Sequence, residues 1–314
     1  MQRIVILGGT GFVGRALCER LVQRGGLRLV VPSRRAPHDQ AVRLLPGLDL
    51  VRADVHDDAT LGRLLAGADA AVNLVGILHG DAPAFERVHA HLPRRLAAAC
   101  GAAGCRLVHL SALGVGADAP SHYLRSKWAG EEALRAAGVP LTILRPSVIY
   151  GAGDRFMNLF ARLQTLAPFV PLAGSDSRFQ PVWVEDVALA VLRALEQPAS
   201  IGRTYEAAGP RVYTLAELVR LAGRWSGHER AQLALPGFAG WLQALALELL
   251  PGEPLLSRDN LRSMRVANVA GGRLPGLAAL GIEPTPLEAV APRYLTRERG
   301  CARLERWRSQ AGSG

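Results

Sequence analysis

The sequence predicts an α/β protein, a doubly wound parallel sheet followed after about residue 150 by a smaller, mostly helical subdomain. Three observations predict it. Short apolar runs alternate with helix-period segments through the first half, the pattern of successive βαβ units. The first apolar run breaks into a glycine turn that opens a helix, Gly8-x-x-Gly11-x-x-Gly14. At 49% hydrophobic and 20% charged, 314 residues can bury a core without disulfides or metals.

Six strands are expected at Arg3–Leu7, Leu27–Pro32, Leu48–Arg52, Ala70–Leu74, Arg106–Leu110 and Leu141–Leu144. Helices are expected between them at Phe12–Arg24, Ala59–Leu65, Phe85–Ala103 and Tyr123–Ala137. Right-handed crossovers then place a ligand crevice at the carboxyl ends of the strands. Beyond Tyr150 the regularity ends. Helices near Arg155–Leu166, Val184–Gln197 and Leu215–Trp225 and a strand at Thr204–Ala207 precede a Pro/Gly-punctuated tail from Pro236. Residues 1–150 form the first domain, its sheet completed by parts of 176–210. Residues 151–314 form a substrate-side subdomain partly interleaved with it.

Composition narrows the function classes. The four cysteines (Cys18, Cys100, Cys105, Cys301) form no CxxC, which fits a reducing compartment. The apolar run at Ile4–Leu7 is too short for a signal peptide, and no apolar stretch reaches a membrane span, so a cytoplasmic protein is expected. The net charge is +10, but the cations are scattered and no basic stripe interleaved with aromatics appears. Nucleic acid is therefore not an expected partner. Metal chemistry is not expected either: His89 and His91 are two apart on a helix and face different ways.

The glycine turn has the chemistry of a dinucleotide site. Gly8 permits the tight turn, Gly11 lets backbone approach a pyrophosphate, and Gly14 lets the helix pack close to the strand. Thr10, Phe12 and Val13 complete the turn and the helix N-terminus, whose free N–H groups face the phosphates. This makes the first domain a Rossmann-type NAD(P) binder. At the end of the second strand an acid would hold a ribose 2′-hydroxyl, but here the residues are Ser33, Arg34 and Arg35. Two guanidiniums and a hydroxyl suit a 2′-phosphate, so NADP(H) is favoured over NAD(H). Asp54 and Val55, after the third strand, sit where an acid could accept from the adenine amino group. Leu74, Val75 and Gly76, after the fourth, would pass beneath the adenine ribose.

Tyr123 and Lys127 have the i, i+4 spacing that puts a phenol and an ammonium on one helix face. The ammonium can hold a nicotinamide ribose and lower the phenol's pKa, and the phenol can exchange a proton with a carbonyl/alcohol pair. The cation census adds weight. Of 37 cationic residues 36 are arginine, and the single lysine is Lys127. A compact ammonium and a planar guanidinium are not interchangeable at a tight site, so this position is chemically specified. Ser111, after the fifth strand, can orient the substrate oxygen; it can equally cap a turn. Pro146 and Ser147, past the sixth strand, offer groups at the nicotinamide end.

With these residues the chain resembles an extended or atypical short-chain dehydrogenase/reductase over about residues 2–200. The matching pieces are Gly8–Gly14, Asp54-Val55, Asn73–Gly76, Tyr123-x-x-x-Lys127, Leu144–Gly151 and Val182–Ala188. Tyr123–Lys127 and Gly153–Asn158 are most similar to the nucleotide-binding accessory subunit of respiratory complex I and its bacterial relatives. The resemblance implies an NAD(P)-binding fold and an oxidoreductase or an epimerase/dehydratase. It also implies an alternative, a non-catalytic accessory or assembly protein linked to complex I or quinone metabolism. In the active enzymes the catalytic serine often lies a little beyond the strand end, where this chain has Ala112, Leu113 and Gly114. The resemblance therefore carries cofactor binding further than turnover.

One segment points to a membrane. Pro236–Leu250 places Phe238, Trp241, Leu242, Leu245, Ala246 and Leu249 on one stripe with only Gln243 and Glu248 polar. It is too short to span a bilayer, and burial as a lid over the site is the ordinary expectation. Interfacial docking is the alternative, with the arginines of Arg293–Arg308 attracting anionic lipid. Weak peripheral association, with a lipid-soluble substrate or a respiratory partner, follows from that alternative.

Overall fold

A computed structural model describes residues 2–34, 40–252 and 254–296. The chain alternates strand and helix from the start: β1 (Arg3–Leu7), α1 (Phe12–Arg24), β2 (Arg28–Ser33), α2 (Gln40–Arg43), β3 (Leu48–Arg52), α3 (Asp58–Leu65) and β4 (Ala70–Asn73). It continues with α4 (Ala82–Glu86), a π turn (Arg87–His91), α5 (Leu92–Ala103), β5 (Arg106–Leu110), α6 (His122–Ala136) and β6 (Leu141–Pro146). The second half holds β7 (Ile149–Tyr150), α7 (Met157–Leu166), β8 (Phe169–Ala173), β9 (Arg178–Phe179), β10 (Val182–Trp183), α8 (Val184–Glu196) and β11 (Thr204–Ala207). After it come β12 (Tyr213–Thr214), α9 (Leu215–Ser226), β13 (Ala231–Leu235), α10 (Gly237–Glu248), α11 (Arg258–Ser263) and α12 (Leu287–Leu295).

Seven strands form one parallel sheet in the order β11-β6-β5-β4-β1-β2-β3. The order reverses at β1, so the crevice where a ligand can enter opens between the carboxyl ends of β1 and β4. Val5, Val72 and Val108 on the central strands are fully buried, because helices cover both faces. One apolar layer joins the sheet to α1 and α8 through Leu17, Leu21, Val187 and Val191. The opposite layer uses Leu61, Leu65, Leu92, Leu96 and Leu134. A third cluster lies in the second half, around Tyr150, Met157, Leu218 and Leu287.

Two features depart from the expected pattern. The helix expected over Phe85–Ala103 widens into a π turn at Arg87–His91. Pro93 has no N–H to give the carbonyl of His89 four residues back, so the ladder is broken there and the turn expands. That carbonyl instead faces Gly130 of α6, where any side chain would collide with it. The second departure is a two-stranded parallel sheet, β8 with β13, which carries α10 on its surface.

Candidate functional site

The site is built outward from the glycine turn. Gly8 has φ +79°, and a Cβ there would sit 3.0 Å from the Leu74 carbonyl carbon, so the turn abuts the exit of β4. A side chain at Gly14 would strike the Gly8 carbonyl oxygen, which holds α1 close against the turn. The α1 N-terminus at Gly11 has no side-chain cap and no acid in its first turn. Its leading N–H groups therefore remain a cradle for an anion. Thr10 presents its carbonyl to Arg15 at 2.9 Å, and Phe12 packs toward Gly151, where a Cβ would meet its ring at 3.3 Å. Val13 is half-buried against the core.

At the end of β2, Ser33 is half-buried and Arg34 exposed; Arg35 lies outside the described residues. Arg34 does not stand alone. Burial lowers the His56 pKa, Asp54 opposes it, and the charges of Arg34, Arg87 and Arg95 lower it further. Arg95 also hydrogen-bonds the His56 carbonyl. Arg87 and Arg95, which the sequence did not single out, thus share with Arg34 an influence on His56. Asp54 is exposed and accepts from the His56 N–H at 3.0 Å, closing a local turn. Val55 packs onto the core.

The loop Leu74–Ile77 after β4 is pinned at both ends. Asn73 Oδ1 accepts from the Val75 N–H at 3.2 Å, and its amide nitrogen lies 3.1 Å from His109 Nδ1. At the far end the Ile77 N–H donates to His89 Nε2 at 3.0 Å. That bond sets the tautomer: His89 carries its proton on Nδ1, 3.0 Å from Ser126 Oγ, which in turn donates to the Tyr123 carbonyl at 2.9 Å. By the same logic His109 accepts at Nδ1, carries its proton on Nε2, and that buried N–H has no partner among the described residues. Gly76 sits between; a Cβ there would lie 3.5 Å from both Lys127 Nζ and His89 Nε2.

α6 brings Tyr123 and Lys127 to this loop. Ser121 caps the helix, and Asp259 of α11 accepts from the N–H groups of His122 and Tyr123 at 2.8 and 3.0 Å. Lys127 is 5% exposed and donates to the Leu110 carbonyl at 2.9 Å, immediately before Ser111. Burial lowers its pKa to about 8, against the opposing charge of Glu131. The Tyr123 ring meets His89 edge-on at 5.4 Å and Phe85 at 6.0 Å. Burial pushes its phenol up to about 12. This reverses the expected direction: with its ammonium held at Leu110, Lys127 does not offset the desolvation of the phenol. Ser111 does not cap a turn. Its hydroxyl is buried and has no hydrogen-bond partner among the described residues.

Past β6 the groups are already engaged. The Pro146 carbonyl accepts from the Leu113 N–H at 2.9 Å, and Ser147 Oγ lies 2.7 Å from Asn268 Oδ1. Asn268 Oδ1 also accepts from the Val148 N–H at 2.8 Å, so Ser147 braces the segment around Asn268 against the strand end. Sequence reasoning gave no role at this site to His89, His109 or Asp259, which hold the loop after β4 and the start of α6; Asn73 it quoted only as part of the Asn73–Gly76 match. Only Pro93 advertised one of them, through its effect on the carbonyl of His89.

The chain as a whole is similar to known proteins. The NAD dependent epimerase/dehydratase family matches residues 4–208. The mitochondrial NADH dehydrogenase (ubiquinone) 1 alpha subcomplex subunit 9 of Mus musculus is 32% identical over 306 residues, 94% of this chain and 80% of that protein. The ceramide reductase of Caulobacter vibrioides is 33% identical over 235 residues, 74% of this chain and 73% of that one. Among solved structures, the NADPH-dependent quinone oxidoreductase of Escherichia coli, complexed with NADPH, superposes with a TM-score of 0.73 at 22% identity. It covers 92% of this chain and 98% of its own, a likeness of fold.

Proposed function

The chain belongs to the NAD-dependent epimerase/dehydratase family, and on that footing we propose that it binds NADP(H) and reduces the carbonyl group of a lipid-like substrate. The observation that carries this reading is the placement of Ser111. A buried hydroxyl with no partner among the described residues follows the carbonyl that Lys127 grips, and the same helix carries Tyr123, whose phenol is pushed up to about 12. A buried hydroxyl left unpaired costs about 1–3 kcal/mol, a cost a substrate oxygen would remove. A bound NADPH would supply the hydride for the carbonyl carbon. Tyr123 would give its proton to the carbonyl oxygen, Ser111 would hydrogen-bond that oxygen, and Lys127 would hold the ribose hydroxyls. Residues 151–314 would furnish the substrate side. The name of the Caulobacter relative, a ceramide reductase, favours an amphiphilic carbonyl compound.

The test is transfer of deuterium from 4-deuterated NADPH to a panel of long-chain ketones. Label in the product alcohol is expected, and Tyr123→Phe is expected to slow it by about 10²–10⁴-fold with NADPH affinity retained. Tight nucleotide binding with no transfer to any member would favour the second reading, a nucleotide-binding accessory subunit of a respiratory complex. The match to the alpha subcomplex subunit over 94% of this chain supports that alternative.

The preference for NADP(H) rests on Arg34, exposed at the end of β2. Arg34→Ala is expected to weaken NADPH binding by about 1.5–3 kcal/mol while leaving NADH binding unchanged, as calorimetry would show. Equal affinity of the unaltered protein for the two nucleotides would overturn the assignment.

A further inference from the structure

α10 is apolar except for Gln243 and Glu248, yet it is not a core helix. Only Gly240 and Ala244 are buried, facing β8, where a Cβ at Gly240 would touch Ala173. The large side chains point the other way. Phe238 is 74% exposed, Trp241 42%, Leu242 44% and Leu249 80%; Leu250 and Leu255 in the following turn are 59% and 51% exposed. Half of the exposed large hydrophobic side chains among the described residues lie between Leu233 and Leu255. A contiguous apolar surface of this kind marks an interaction site rather than scattered surface leucines.

The charges around it indicate what covers it. Glu248 is neutralised by Arg258 at 2.7 Å, and the Arg258 guanidinium lies over the Trp241 ring, 5.7 Å from its centre. Asp259 is engaged by the N-terminus of α6. Arg262 and Arg265 are exposed and have no ion pair among the described residues. Among the described residues around α10 the acids are thus tied up while Arg262 and Arg265 stay free, on a protein of net charge +10; Glu253, in the turn after α10, lies outside the described residues. An apolar tip with an aromatic–arginine pair at its edge and free arginines behind it is complementary to an anionic lipid surface.

We infer that the outer face of α10 and the turn after it dock the protein on an anionic bilayer. The same hairpin carries Asp259, whose carboxylate holds the backbone of Tyr123. A cavity of about 210 Å³ between Phe85, His122, Arg258 and Arg262 lies beside it. The bilayer would therefore meet the protein next to Tyr123, the side from which an amphiphile would arrive. Docking does not depend on turnover.

The test is co-sedimentation of the full chain with phosphatidylglycerol/phosphatidylcholine vesicles and with phosphatidylcholine alone, at low and high salt. Binding to the anionic vesicles is expected, weakened by salt and at least roughly tenfold weaker in the Trp241→Glu/Leu242→Glu variant. The variant should keep its circular dichroism and NADPH affinity, because both side chains point outward. Trp241→Phe should remove the part of the tryptophan fluorescence that brominated lipid quenches. No binding at low salt would overturn the inference, as would equal binding by the double variant. Dimers in sedimentation velocity that the same variant dissociates, without vesicle binding, would also overturn it in favour of a second copy.

Discussion

Lys127→Arg is expected to lower NADPH affinity at least about tenfold and hydride transfer by about 10²–10⁴-fold, although it conserves charge. Lys127 is the chain's only lysine, buried, with its amine 2.9 Å from the Leu110 carbonyl and pressed toward Gly76. A planar fork cannot occupy that space without moving the loop after β4, and overpacking a buried position costs about 1–3 kcal/mol by itself. Lys127→Met separates chemistry from folding. Burial already lowers the ammonium's pKa to about 8, so an uncharged side chain of similar length is expected to keep the fold, as circular dichroism would show, yet lose the same function. Calorimetry and labelled-hydride assays read both. An arginine variant with unchanged affinity and turnover would reduce Lys127 to a packing residue.

Acid should destabilise the protein well before its carboxylates titrate. His89 and His109 are each 1% exposed. Burial, helped by the charge of Lys127, lowers His89 to about 2 and holds His109 well below the ordinary imidazole value. Both folded-state values lie below the unfolded one, so stability is full above about pH 6.5 and falls as the unfolded chain takes up protons that the folded one refuses. Linkage gives a loss of about 2 kcal/mol per histidine between pH 7 and pH 5. Urea unfolding at the two pH values measures it, and His109→Gln should remove about half of the slope. A stability unchanged across this window would mean that one or both rings gain a proton in the folded state. The carboxylates held low by hydrogen bonds, Asp57, Asp69 and Glu217, act only in more acid solution.

The frame was legible because its signals are local. Strands β1, β3, β5 and β11 and helix α1 have the boundaries that apolar periodicity predicts. The Gly8–Gly14 turn follows from steric rules that need only neighbouring residues, and the i, i+4 spacing of Tyr123 and Lys127 needs only a helix. What surrounds those residues was not legible. Asp259 reaches the α6 N-terminus from 136 residues away in sequence, and Asn73 meets His109 across adjacent strands. No periodicity encodes such pairings.

α10 shows the limit most directly. Its sequence established that it is apolar, but a helix apolar on nearly every side does not say which face it buries. Packing on the β8–β13 sheet decided that: close approach to Ala173 admits only Gly240 and Ala244, so Phe238, Trp241 and Leu242 face outward. The pKa of Tyr123 was decided the same way. The sequence placed a lysine within a helical turn of it, but the fold aimed the ammonium at Leu110, and desolvation of the half-buried tyrosine pushes its phenol up to about 12. Residue chemistry and short-range spacing come from the chain alone. Solvent exposure and the direction of each charge come only from long-range packing, because both depend on which distant surfaces close around a side chain.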